Sequence, residues 1–134
     1  MVVLGIDPGL RVTGLVWIAG RAVVRAEVLR ARAPARAGGF TALQAAAVAM
    51  ARRTWEAAGA LPAGLVAVEG WENQGIERAA GADRHHVPVL LGALAALAPG
   101  EVVWQRASVV LGPRGYAWLM KPRVQPAIRG WAQA

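Results

Sequence analysis

The residues best placed for chemistry are two acids at the ends of apolar runs. "LGIDPGLRVTGLVWI", Leu4 to Ile18, puts Asp7 after a β-branched stretch and follows it at once with Pro8-Gly9. "LVAVEGW", Leu65 to Trp71, puts Glu69 after a second apolar stretch and follows it with Gly70. A carboxylate in an apolar strand is costly unless water or a partner satisfies it. Asp7 therefore either stands in solvent at a strand end or holds a partner such as a metal ion. If the two acids converge, their like charges repel, and a divalent cation resolves the conflict. Oxygen ligands with open positions suit Mg²⁺ or Mn²⁺. Beside a basic surface, that arrangement serves metal-assisted phosphodiester cleavage. On spacing alone, two solvated strand ends and a metal pair stand about level.

Convergence requires the two strands to be neighbours. Val2 to Ile6 reads as a buried strand, ended by the Pro8-Gly9 turn. Val12 to Ala19 is a second apolar run, closed by Gly20. Ala22 to Arg30 alternates in part, with Val24, Ala26 and Val28 on one face and Arg25 and Glu27 on the other. Short connections make these three an antiparallel meander. Ala33 to Gly39 is loop-like. Phe40 to Ala58, rich in Ala, Leu and Gln without Pro or Gly, predicts a long helix. Leu65 to Val68 predicts a short strand, and Gly70 to Gly81 a polar loop. Asp83 is a candidate cap for a helix reaching about Leu97, where Pro99-Gly100 stops it. Glu101 to Leu111 predicts a further strand, and Pro122 the first turn of a last helix. The order βββαβαβα predicts an α/β fold, a mixed sheet flanked by helices. There is no repeat and no linker, so residues 1–134 are expected to form one domain.

The composition narrows the partners. Of 134 residues, 56% are hydrophobic, enough for a real core, and 17% are charged, which excludes a disordered chain. Without cysteine there is neither a disulfide nor a thiolate zinc site. The net charge of +7, from 15 basic and 8 acidic residues, favours an anionic partner. Nearly all the basic residues are arginine, a bidentate phosphate binder, with Lys121 the single lysine. A GC-rich coding bias toward Arg and Ala explains the arginine form equally well. No apolar run is long enough to span a membrane, and Asp7 and Arg11 break up the first one, so no signal peptide is expected and the cytoplasm is the default.

"GIDPGLRVTG" resembles the opening motif of the RuvC family of Holliday-junction resolvases. Asp7, Pro8, Gly9, Thr13 and Gly14 match it, and "VAVEGW" resembles the family's second motif at Glu69. The resemblance implies a ribonuclease-H-like fold and an endonuclease that nicks four-way DNA junctions as a homodimer with Mg²⁺ or Mn²⁺. It makes Asp7 and Glu69 metal ligands and catalytic residues, with Thr13 and Gly14 shaping the second strand beside them. "LGPRGYAWLMKPRVQPAIRGWAQA" resembles the later family segment and places Lys121 at the family's lysine, where it would stabilise charge on the scissile phosphate. The family's remaining ligands, an Asp-or-His-x-x-Asp pair, have no counterpart: no Asp, Glu or His follows Glu101. Three accounts are open. The chain is a truncated product, or Glu72 or Asp83 substitutes, or the protein binds junctions without cutting them. The smooth match up to Ala134 favours the first.

Arg106, Arg114, Lys121, Arg123 and Arg129 form an acid-free basic stretch that would track a phosphate backbone. For any one of them a solvated helix face is as good a reading. Trp71, in a polar loop, suits stacking or wedging at distorted DNA, as does an aromatic that the family places nearby. A Trp covering the core edge is the plainer reading. Asn73 and Gln74 are candidate contacts to phosphate or bases, or loop filler. His85-His86 is a poor metal pair, because adjacent helical positions point about 100° apart. The family's dimers pack around this helix, so an interface role suits it better. The rival functions are a ribosomal-RNA-processing nuclease of the same superfamily, a non-cutting binding module, and, weakest, an actin-like kinase or ATPase domain, which needs a second domain.

Overall fold

The computed structural model describes residues 1–70 and 85–105. Five strands form one sheet in the order β3-β2-β1-β4-β5. These are β1 (Val2–Asp7), β2 (Val12–Ala19), β3 (Ala22–Arg30), β4 (Leu65–Glu69) and β5 (Val103–Gln105). β1, β2 and β3 are antiparallel neighbours, while β4 runs parallel to both β1 and β5. The chain returns from β3 to β4 through helix α1 (Gly39–Ala58), and α2 (His86–Leu97) lies between β4 and β5 in sequence. The sequence reading places these elements correctly to within a residue or so, except at the points below.

Alternation decides the faces of the sheet. Leu4 and Ile6 of β1, Leu15 and Trp17 of β2, and Val68 of β4 point to one face and are buried. Both helices close over that face. α1 contributes Leu43, Ala47, Met50 and Ala51, spaced three and four apart as one helical stripe requires, and α2 contributes Leu90 and Leu94. Trp17 is fully buried and its indole N–H donates to the Leu61 carbonyl at 3.0 Å. The Trp55 indole N–H donates to the Leu94 carbonyl at 3.1 Å and ties α1 to α2. Truncating Trp17 to Ala would cost about 3–5 kcal/mol.

The opposite face carries Val3, Gly5 and Asp7 of β1, Gly14 and Val16 of β2, and Ala67 and Glu69 of β4. Among the described residues no helix packs on it.

Two boundaries are corrected, those of α2 and β5. In β3 the expected alternation holds from Arg25 to Leu29: Ala26 and Val28 lie on the face opposite the core, whereas Leu29, paired with Thr13, is buried. Arg25 and Glu27 share the core-side face, but at the sheet edge, where Arg25 stacks 5.5 Å from the Trp17 ring. A register shift between Trp17 and Ile18 breaks the alternation further along. The capping position of α2 is His85 rather than Asp83, which lies outside the described residues. Pro88 then falls in the first turn, where a missing N–H costs no intrahelical bond. β5 spans Val103–Gln105, and the remainder of the expected Glu101–Leu111 strand lies largely outside the described residues. No described helix is long and apolar enough to cross a membrane.

Candidate functional site

Asp7 is the last residue of β1, the central strand of the sheet, and is exposed. The connection that follows it is held at two points. Leu10 is buried in the core at 4% exposure. Thr13 is fully buried, and its hydroxyl both donates to the Gly9 carbonyl at 2.8 Å and accepts from the Gly9 N–H at 3.2 Å. A buried hydroxyl on the core face is thereby satisfied, and the turn is closed by the same pair of bonds. Gly9 has no room for a side chain: a Cβ there would stand 2.2 Å from the Val12 carbonyl oxygen. "DPGLRVT" thus places a carboxylate on a tightly specified turn.

Glu69 is the last residue of β4 and is exposed. β1 and β4 pair in parallel, with Ile6 opposite Val68. The next step in this register sets Asp7 beside Glu69, on adjacent strands about 4.8 Å apart. Asp7 and Glu69 share the face opposite the helices, because Ile6 and Val68 share the buried one. The sequence argument required the two strands to be neighbours, and they are. On the far side of Glu69, Gln105 of β5 occupies the same row, and the Gly70 N–H donates to the Gln105 carbonyl at 2.5 Å.

Gly14 lies opposite Asp7 on the other flank. A Cβ built there would be 3.9 Å from the Asp7 Cβ, so the glycine leaves the space beside the carboxylate open. The row across the carboxyl end of the parallel strands therefore reads Gly14, Asp7, Glu69, Gln105. Its donor set is two carboxylates and an amide, all hard oxygen ligands. That set fits Mg²⁺ or Mn²⁺, which take one or two protein carboxylates and leave positions for water and phosphate oxygens. Among the described residues no group of three or more His, Cys, Asp or Glu side chains gathers to hold a metal.

Lys121, Trp71, Asn73, Arg106, Arg114 and Arg123 lie outside the described residues, as do Glu72 and Asp83. The structure brings together Asp7, Glu69 and Gly14. Gln105 was missed by sequence reasoning because its place in the row depends on the β4–β5 register, which nothing local to "VVWQ" announces. Leu10 was missed as an anchor because one Leu in a turn carries no periodicity.

Three antiparallel strands joined through parallel β4 and β5, with two helices on one face, are the observations that decide the architecture. The fold is ribonuclease-H-like. Solved structures agree. Thermus thermophilus RuvC in complex with a Holliday junction substrate superposes with a TM-score of 0.59 at 20% identity, covering 85% of this chain and 71% of that one. A second Thermus thermophilus RuvC structure gives a TM-score of 0.56 at 21% identity, covering 84% and 70%. At such identity the likeness speaks for the RuvC-like fold. No protein-family model and no curated protein sequence matches the chain.

Proposed function

We propose that this chain is a single-domain, RuvC-like endonuclease that binds four-way DNA junctions and nicks them by divalent-metal-assisted phosphodiester hydrolysis. The observation that carries the reading is the β1–β4 register, which puts Asp7 and Glu69 side by side at the strand ends on one face. The solved neighbour of similar fold that is bound to a Holliday junction supports the substrate class. The net charge of +7 supports a nucleic-acid partner.

Asp7 and Glu69 would hold Mg²⁺ or Mn²⁺, which when bound supplies charge neutralisation at phosphate and acidifies a water molecule. The chain's residues supply the rest. The Pro8–Thr13 turn fixes the backbone that carries the Asp7 carboxylate, which lowers the cost of ordering it for reaction. Gly14 keeps the approach to Asp7 clear for a phosphodiester. Lys121 contacts the scissile phosphate and offsets its growing negative charge. Trp71 and Asn73 meet the distorted bases, and Arg106, Arg114 and Arg123 track the backbone. In hydrolysis the water oxygen bonds to phosphorus and gives up a proton to solvent, one P–O ester bond breaks, and the leaving sugar oxygen takes up a proton to become a hydroxyl.

The functional unit is a homodimer, matching a two-fold partner with a two-fold assembly. Its support is α2, which has no Asp, Glu, Lys or Arg and leaves Ala95, Ala96 and Leu97 exposed. One specific observation favours a second reading, a junction binder that does not cut: among the described residues no third His, Cys, Asp or Glu gathers with Asp7 and Glu69 to hold a metal.

The test is a synthetic four-way junction and a linear duplex, each incubated with Mn²⁺ or EDTA and run on native and denaturing gels. Symmetric, Mn²⁺-dependent nicks in the junction alone are the expected result. Junction-selective binding without nicks selects the second reading. Preference for structured RNA over junction DNA, or no selectivity at all, overturns both.

A further inference from the structure

Arginines gather at the same end of the sheet as Asp7, but on the side away from Glu69. Arg11 lies in the β1–β2 turn. Val12 pairs with Arg30, the last residue of β3, and the Ala31 N–H donates to the Arg11 carbonyl at 2.8 Å. Arg32 follows directly. On the helix side, the Arg53 guanidinium donates to the Arg30 carbonyl at 2.7 Å and holds the end of β3 in place. Arg11, Arg30, Arg32 and Arg53 are all exposed. None of them pairs with a carboxylate among the described residues.

The register fixes which way Arg30 faces. Asp7 pairs with Gly14, Gly14 pairs with Val28, and Arg30 lies two residues beyond Val28 on the same strand. Arg30 therefore projects from the same face as Asp7 and Glu69, whereas Leu29 between them is buried. Two strand spacings across and two residues along separate Arg30 from Asp7 by about 12 Å. That is the span of roughly three to four nucleotide steps at about 3.4 Å each. Arg11, Arg30 and Arg32 are exposed and pair with no carboxylate among the described residues, so no ion pair accounts for their charges. Guanidinium forks held on turns and strand ends suit the bidentate capture of phosphate oxygens.

We infer that Arg11, Arg30 and Arg32 form a second phosphate-binding site, which grips a DNA strand a few nucleotides from the one at Asp7 and Glu69. The inference rests on the nuclease reading and extends it. It gives the substrate a path across the sheet, from the carboxylates over the β2 and β3 ends. Arg53 is a positioning residue that acts through the Arg30 backbone.

The test measures junction affinity in EDTA, where binding is read without cleavage, at several salt concentrations. The Arg11→Ala/Arg30→Ala double variant is compared with Arg21→Ala/Arg52→Ala. The second pair removes the same charge, from the β2–β3 turn at the other end of the sheet and from an exposed position on α1. Each lost phosphate contact lowers the slope of log affinity against log salt by about 0.9. The first double variant should therefore lose about two units of slope and the control less than half of that. Arg32→Glu, in the loop beyond the sheet, is the second variant and should weaken binding with an unchanged melting temperature. Equal slopes for the two double variants, with wild-type binding intact, overturn the second site and leave the nuclease reading standing. Failure of the wild-type chain to bind any DNA overturns both.

Discussion

Asp7 and Glu69 stand side by side yet are supported very differently. Asp7 ends the central strand, flanked on both sides, and its turn is fastened by Leu10 in the core and by the paired Thr13–Gly9 hydrogen bonds. Glu69 is flanked by β1 and by β5, a strand of three residues, and one backbone bond from Gly70 to Gln105 ties the residue after it. The short side chain sits on the rigid mount and the longer one on the lighter mount. A cation held between them would take its position from Asp7, with Glu69 adapting to it.

The largest effect follows from altering the rigid member. Asp7→Asn should lower the cleavage rate by more than about 100-fold, beyond the 10–100-fold typical of outer-shell partners of a metal. Junction affinity should stay within a few-fold, because the basic surface is untouched. Cleavage assays on a nuclease-free preparation check it, and retained nicking would contradict the ligand role.

The exchange of lengths sharpens the contrast. Asp7→Glu adds a methylene on a turn that cannot retreat, whereas Glu69→Asp shortens a side chain on a more adaptable strand end. Raising Mn²⁺ should therefore rescue Glu69→Asp but not Asp7→Glu. Equal rescue of the two would remove the proposed difference in mounting.

The two glycines carry the contrast into stability. Gly9→Ala forces a Cβ to within 2.2 Å of a backbone oxygen, while at Gly70 the nearest atom is 3.3 Å away. Overpacking against backbone at Gly9 should cost about 1–3 kcal/mol. Gly70→Ala should cost less than about 1 kcal/mol. Denaturant midpoints compare them directly. Thr13→Val keeps the shape but strands the Gly9 amide, at about 1–3 kcal/mol. Its loss of cleavage should exceed what its stability loss explains, since Asp7 rides on the same turn.

Much of this was legible in the sequence because the signals were local. "VVLGID" and "LVAVE" announce buried strands by their β-branched runs, and Pro8-Gly9 announces the turn. The uninterrupted Ala- and Leu-rich stretch announces α1, and Pro34 with the Gly pair announces the loop before it. The antiparallel direction of β3 was legible from its short connection to β2, but the face that the helices cover was not. Its alternation separates Val24, Ala26 and Val28 from Arg25 and Glu27, and the neighbour across the sheet, not the strand's own pattern, decides which set faces the core. The arginine cluster was illegible for the same reason. Arg11 and Arg30 are 19 positions apart and meet only through the β2–β3 register. Asp7 and Glu69 were legible as candidates, since each ends an apolar run, but their adjacency rests on β4 entering the sheet beside β1.

The central claim is that Asp7 and Glu69 act together on one cation. Mn²⁺ binding followed by electron paramagnetic resonance tests this without relying on cleavage. Wild type, Asp7→Asn and Glu69→Gln would each be titrated with Mn²⁺, with melting curves to show that the variants fold. The account predicts a bound Mn²⁺ population in the wild type that both substitutions reduce, Asp7→Asn the more strongly. Mn²⁺ binding unchanged in both folded variants would contradict it.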